Sequence, residues 1–428
     1  MNSNLKSELI SPENRISFIL VTALFLFWGI PNNLNDILIK QFMKSFEISR
    51  LQAGLIQSAF YLGYFLLALP AAIIMRKYSY KVGLITGMFL YSSGTFLFWP
   101  AAHSGKYLYF LIALFVIASG LSFLETGANP FIAGLGSPES SERRLNFSQA
   151  FNPFGSILGV LIGTIFIFSG IENSQDKIAM MKQSGDYSSY LQFETMRVVR
   201  PYIVLGVAIL LWSLLIIRTK FPVISEEVNK DEKKGKPRDL LKYRHFLTGI
   251  LAQFFYVGAQ VGTWSYFIQY SQDYTKIAEK TAGYFLSGTL IAFLIGRFSA
   301  TVIMKYIKPG KLMGIYGILN ILLISIAIIF PGWLGVWSIF LSSFFMSLMF
   351  PTIFALAIKG LGANTKIAGS MIVMAIIGGG VITPFMGLIA VKSMANAMLI
   401  PLGCYCFITL YAFWLSVPKK PNSNNSLS

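Results

Sequence analysis

Twelve stretches of this chain are apolar for long enough to cross a lipid bilayer, and that pattern limits the fold more than any other feature. They fall, with soft ends, at about 16–40, 51–75, 81–101, 107–136, 145–170 and 200–218, and again at about 246–271, 281–304, 311–330, 334–358, 365–392 and 397–416. A spanning helix needs roughly 20 apolar residues, because only a helix or a closed barrel satisfies its backbone inside hydrocarbon. The pattern predicts an all-α membrane protein of about twelve transmembrane helices.

Composition supports this reading. Of 428 residues, 55% are hydrophobic and only 12% charged, against about 25% charged in a soluble domain. The first run starts near Ile16 and continues past Asn35 without a small-residue cleavage site, so it reads as a span and not as a leader peptide. The net charge of +17 sits in the gaps between apolar runs, as topology signals do, and not on a face suited to nucleic acid. Cys404 and Cys406 form a C-x-C pair inside an apolar run with no ligand partners, which argues for packing and against a metal site. The two histidines, His103 and His245, lie outside the expected spans, and no nucleophile–base motif accompanies them. An enzyme is not expected, nor any cofactor beyond a coupling proton.

An even number of spans places both termini on one side. With the N-terminus inside, about 23 of the 35 basic residues fall inside and about 11 outside, as the positive-inside rule requires. The expected organisation is a cytoplasmic tail (1–15), a six-helix bundle (16–218), a cytoplasmic linker (219–245), a second six-helix bundle (246–416) and a cytoplasmic tail (417–428). The linker core KDEKKGKPRD carries no apolar period and reads as solvated. The polar stretch at about 171–199 lies outside and suggests no function. The halves also echo each other at an interval of about 220–230 residues. MRKYSYKVGLITG from Met75 resembles MKYIKPGKLMGIYG from Met304, Pro130 answers Pro351, and Gly155 answers Gly378–Gly380. Two parallel six-helix halves facing a central site describe the major facilitator architecture.

Of the 18 acidic residues, only Asp36 and Glu125 fall within apolar runs; the rest sit in loops, tails or helix ends. An acid at a helix centre costs about 2.5–3.5 kcal/mol on insertion, so an unused one is expensive. Two plainer readings stay open: Asp36 wetted or capping near the outer end of its helix, and Glu125 a neutral acid hydrogen-bonded between helices. Their surroundings favour function. In WGIPNNLND, Gly29 and Pro31 are expected to interrupt the helix while Asn32, Asn33 and Asn35 supply amides. In LETGANPF, Asn129 lies one turn beyond Glu125 and Pro130 breaks the hydrogen-bond ladder. In NFSQAFNPFG, Gln149 and Asn152 are three apart and share a face. Amides that both donate and accept suit a solute covered in hydroxyls, such as a sugar.

The second half is less polar. Gln253, Tyr256, Gln260 and Trp264 in the seventh run offer an amide and aromatic lining for sugar C–H faces, or simply pack against neighbours. Arg297, a lone cation in the eighth run, reads as a gate or anchor more than as a ligand. For an uncharged solute the acids imply proton coupling. A low-dielectric site disfavours the charged carboxyl, and one charge crossing 100 mV is worth about 2.3 kcal/mol, or about fifty-fold accumulation. A sensor built on a transporter frame would need a cytoplasmic output domain, and the linker and the PNSNNSLS tail offer little for one.

NNLNDILIKQF, QAGLIQSAFY, LFWPAA, LETGANPF, RLNFSQAFNPFG, QFFYVGAQ, GRF, PTIFALAIKGLG and IVMAIIGGGVITP together resemble the fucose:proton symporters (fucose permeases) of the major facilitator superfamily, over nearly the whole membrane portion. The resemblance implies twelve helices, an inner-membrane location and uptake of L-fucose or a close analogue with protons; a monomer is expected. It matches Asp36 and Glu125 to the family's two essential acids. Asn33, Gln149 and Asn152 match polar cavity residues, and Trp28 a cavity aromatic. Pro31 and Pro153 depart from the family pattern, where small residues are expected. Glucose/galactose transporters of the same family lack the paired Asn and carry Gln at the Glu125 position, so they, or a proton-driven exporter, are the alternative.

Overall fold

The computed structural model describes residues 10–136, 144, 147–171, 173–222, 240–304, 306–361 and 365–416. The ends of the expected tails (1–9 and 417–428) and the charged core of the expected linker (223–239) lie outside the described residues. Twelve described helices are long and apolar enough to span a membrane. In chain order they are α1 (Pro12–Ser45), α2 (Arg50–Met75), α3 (Tyr80–Ser104), α4 (Tyr107–Ile132), α5 (Phe147–Ile167) and α6 (Tyr187–Arg218). After these come α7 (Arg244–Ser265), α8 (Glu279–Ala300), α9 (Pro309–Ile329), α10 (Trp333–Ile358), α11 (Met371–Ala390) and α12 (Met394–Leu415). Each coincides with one of the twelve apolar runs. The chain forms two compact units, Met1–Glu227 with Ala278–Ser287, and Val228–Ile277 with Gly288–Ser428.

Two local expectations are corrected, and one stretch left unread gains a structure. The polar stretch at about 171–199 is helical, with one helix over Gln175–Ser184 and another over Tyr187–Met196 that opens α6. The seventh apolar run folds as two helices, Arg244–Ser265 and Phe267–Thr275. His103 and His245 lie inside the ends of α3 and α7 and not beyond them. There the His245 ring meets the Lys359 carbonyl at 3.0 Å, one of the open carbonyls that a helix end presents.

A larger correction concerns Pro31, which does not interrupt its helix. The α-helix runs unbroken from Arg15 to Ser45 with Pro31 inside it. Proline has no N–H, so the carbonyl four residues back, that of Phe27, loses its ladder partner. Tyr91 of α3 supplies the missing donor: its hydroxyl donates to the Phe27 carbonyl at 3.0 Å. In hydrocarbon there is no water to do this, so a side chain must. Pro130 likewise lies inside an unbroken helix over Tyr107–Gly134.

On another face α1 approaches α5 backbone to backbone. A Cβ on Gly29 would collide with the Asn152 carbonyl, and one on Gly155 or Gly159 with the carbonyls of Leu26 or Ile30. This is the small-residue stripe that lets membrane helices touch without a hydrophobic driving force. It also sets the position of Asn152 relative to α1.

Tyr91→Phe should strand the Phe27 carbonyl and cost about 1–3 kcal/mol, read as a lower melting temperature in detergent. Pro31→Ala restores the backbone donor, so in that background the cost of Tyr91→Phe should shrink. Equal costs in both backgrounds would show that Tyr91 acts through packing alone.

Candidate functional site

The first unit collects polar side chains from four helices. Asp36 is only 2% exposed, which removes the wetted reading. Its carboxylate accepts from the Asn33 amide at 3.2 Å, one turn back on α1, and from the Gln57 amide of α2 at 3.0 Å. Asn32 faces a different neighbour, with the Tyr64 hydroxyl donating to its side-chain oxygen at 3.5 Å. Asn35 is buried with neither amide atom bonded to a described residue. Consecutive residues on a helix point about 100° apart, so one Asn-rich segment serves three directions.

Glu125 is half-buried, and its carboxyl forms no hydrogen bond to any described residue. Its backbone carbonyl accepts from the Asn129 side chain at 3.0 Å, and Asn129 in turn accepts from the Gln149 amide at 3.2 Å. Asn152 donates to the Phe25 carbonyl at 3.3 Å. Gln149 and Asn152 thus lean on different helices, α4 and α1. Trp28 is buried against Phe25, with ring centroids 4.3 Å apart.

Three residues of α2 escaped the sequence reading: Gln57, Tyr61 and Tyr64. They recur at i, i+4 and i+7, a polar stripe on an otherwise apolar helix, and that spacing was the available signal. The Ser122 hydroxyl, one turn before Glu125, donates to the Tyr64 carbonyl at 3.2 Å and ties α4 to this stripe.

Two further acids, outside the apolar runs, are also buried. Glu194 and Glu279 are at most 1% exposed. Lys44 Nζ lies 3.0 Å from Glu194 and 3.6 Å from Glu279, and Gln41 donates to Glu194 at 3.1 Å. Asp36 and Glu125 differ from these acids in the company they keep. Ammonium-paired carboxylates hold structure, whereas the contacts described for Asp36 are to the amides of Asn33 and Gln57.

In the second unit, the Gln253 amide and the Tyr256 hydroxyl, three residues apart on α7, are buried with no hydrogen-bond partner among the described residues. Gln260 is half-buried, and Trp264 donates to the Ser343 hydroxyl at 3.1 Å and packs edge-on against Phe293. Arg297 lies over the Phe293 ring, 4.9 Å from its centroid, and donates through Nε to the Ser347 carbonyl at 3.3 Å. That carbonyl sits four residues before Pro351 and is the one its missing N–H leaves open. Arg297 therefore does in α10 what Tyr91 does in α1.

Residues 16–369 match the family profile of the Major Facilitator Superfamily. The chain belongs to the major facilitator superfamily. It is 43% identical over 406 residues to the L-fucose-proton symporter of Escherichia coli K12, covering 93% of this chain and 92% of that one. It is 32% identical over 416 residues to a glucose/galactose transporter of Brucella abortus, covering 96% and 97%. The crystal structure of a fucose-permease-type major facilitator transporter in its outward conformation matches at 42% identity with a TM-score of 0.70, covering 94% of this chain and 98% of that one.

Arg297→Leu should leave the Ser347 carbonyl unpaired and lower stability by about 1.5–3 kcal/mol, with Arg297→Lys between it and the unaltered protein. Thermal unfolding without any solute reads this directly. An unchanged melting temperature would mean that Arg297 does not anchor α10.

Proposed function

We propose that this protein takes up a monosaccharide, L-fucose before others, together with protons, across a bacterial inner membrane by alternating access. In this reading both termini are cytoplasmic, where the basic loops belong, and the protein acts as a monomer. The observation that carries it is Glu125: a carboxyl inside a membrane span, with no hydrogen bond to a described residue, beside the Asn129–Gln149 amide pair. Such a group can accept a sugar hydroxyl and a proton at one place, which is what coupling demands. Asp36, held by Asn33 and Gln57, takes the proton step. Asn33, Gln149, Asn152 and Trp28 contribute on the sugar side, and Gln253, Tyr256, Gln260 and Trp264 offer lining from the second unit. The identity to the L-fucose-proton symporter supports L-fucose, and the match to the glucose/galactose transporter defines the competing sugars.

Membrane vesicles test the reading. L-Fucose should accumulate against its gradient, and collapse of the pH gradient and potential should abolish accumulation. Accumulation that survives collapse would exclude symport, and stronger competition by D-glucose or D-galactose than by L-fucose would move the substrate to the alternative. Asp36→Asn should keep sugar exchange and lose accumulation, whereas Glu125→Gln should weaken both. Normal accumulation by Asp36→Asn would remove its proton role.

A further inference from the structure

Where α9 begins and α10 and α12 end, the second unit carries a groove of about 660 Å³. Lys308, Lys311 and Lys359 line it, and Ala355, Leu356 and Phe413 form an apolar wall. All three lysines are exposed, and none forms an ion pair with a described residue. The reason lies in composition: Glu279 is the last acid of the chain, and ten lysines and arginines follow it. The linker segment 223–239 brings no surplus of negative charge, since it holds five acids and five bases. The first unit treats the matching corner differently. In the repeat, KVGLITG from Lys81 answers KLMGIYG from Lys311. Lys81 donates to the Ile217 and Thr219 carbonyls at 2.8 and 2.9 Å, and lies 5.7 Å from the Phe221 ring centroid. Phe221 in turn packs against Phe131 of α4, with 5.0 Å between centroids. There the chain itself fills the corner. After α12 the sequence continues VPKKPNSNNSLS, with no aromatic ring and two more lysines. It offers neither the packing of Phe221 nor a counter-charge.

We propose that this groove binds the headgroup of an anionic phospholipid of the phosphatidylglycerol type. Basic pockets between spanning helices on the cytoplasmic side recognise such headgroups, and the basic loops assign this end of α9 to that side. The depth is right. Pro309 is the first residue of the α9 span, and Trp414, exposed beside Phe413, stands at the last turn of α12. An exposed tryptophan at the end of a span marks the level of the headgroups. A phospholipid presents a phosphate next to acyl chains, so its site needs cations next to apolar surface at that level. Lysine stems lie along apolar surface while their ammonium groups reach the polar layer. Lys308 and Lys311 at the start of α9, and Lys359 just past the end of α10, can then donate charge-assisted hydrogen bonds to phosphate oxygens. A soluble anion would use the ammonium groups and leave the wall of Ala355, Leu356 and Phe413 without a role.

The inference takes only the inner-side topology from the transport reading, and its test involves no sugar or proton movement, so either can fail without the other. Full-length protein in detergent is titrated with phosphatidylglycerol, with phosphatidylcholine of the same acyl chains, and with inorganic phosphate. Native mass spectrometry reads the first lipid bound. Phosphatidylglycerol should bind about tenfold or more tightly than phosphatidylcholine. Lys308→Gln, Lys311→Gln and Lys359→Gln should each weaken it by roughly fivefold and leave phosphatidylcholine unchanged. Lys77→Gln, Arg218→Gln and Lys220→Gln remove the same charge elsewhere on that side and should each keep phosphatidylglycerol within about twofold. Equal binding of the two lipids would overturn the proposal, because the headgroup charge would then not be read. Equal losses from the two sets of variants would also overturn it, because net charge and not the groove would be responsible. Displacement of the lipid by inorganic phosphate at equal concentration would assign the groove to a soluble anion and overturn it as well.

Discussion

The Phe27 carbonyl, left without its ladder partner by Pro31 and held by the Tyr91 hydroxyl at 3.0 Å, sets the conditions for the rest of the first unit. Water cannot repair a broken ladder in hydrocarbon, so the helix continues only if a neighbour donates. With α1 continuous, Asn33 and Asp36 keep one-turn spacing and form their hydrogen bond, and Gln57 can complete the shell from α2. The second unit repeats the device with different chemistry: Arg297 donates to the Ser347 carbonyl that Pro351 leaves open. Here the helix yields slightly, ending at Met346 and resuming at Met349. A phenol and a guanidinium thus do the same backbone work on α1 and on α10.

The buried acids divide by the company they keep. Glu194 and Glu279 share the Lys44 ammonium, and Glu194 also accepts from the Gln41 amide, which compensates much of the cost of removing them from water. Asp36 accepts from the amides of Asn33 and Gln57, and the Glu125 carboxyl has no hydrogen bond to a described residue. Gln57, Tyr61 and Tyr64 form a polar stripe on α2, and Gln57 reaches Asp36 from it.

Much of this was legible in one dimension. Twelve apolar runs are twelve helices, because hydrocarbon accepts no other way of satisfying that backbone. The cost of an embedded acid marked Asp36 and Glu125 as candidates, and the structure buries the first and half-buries the second. Where the reading failed, it treated a local rule as decisive. Pro31 breaks a helix only if its orphaned carbonyl stays unpaired, and the partner, Tyr91, is sixty-four residues away in sequence. Glu194 and Glu279 looked like ordinary helix-end acids because their shared cation, Lys44, is remote in sequence.

The sequence by itself determined the number of spans, their order and the chemical types available at membrane depth, since those follow from transfer free energies that are properties of each segment. Only the tertiary structure decided which amide serves which acid. It gave Asn33 and Gln57 to Asp36, and sent Gln149 to Asn129 and Asn152 to the Phe25 carbonyl. The reason is that hydrogen bonds are short and directional. Their partners are chosen by how helices approach, through contacts such as Gly29 against Asn152, and not by spacing along any one helix.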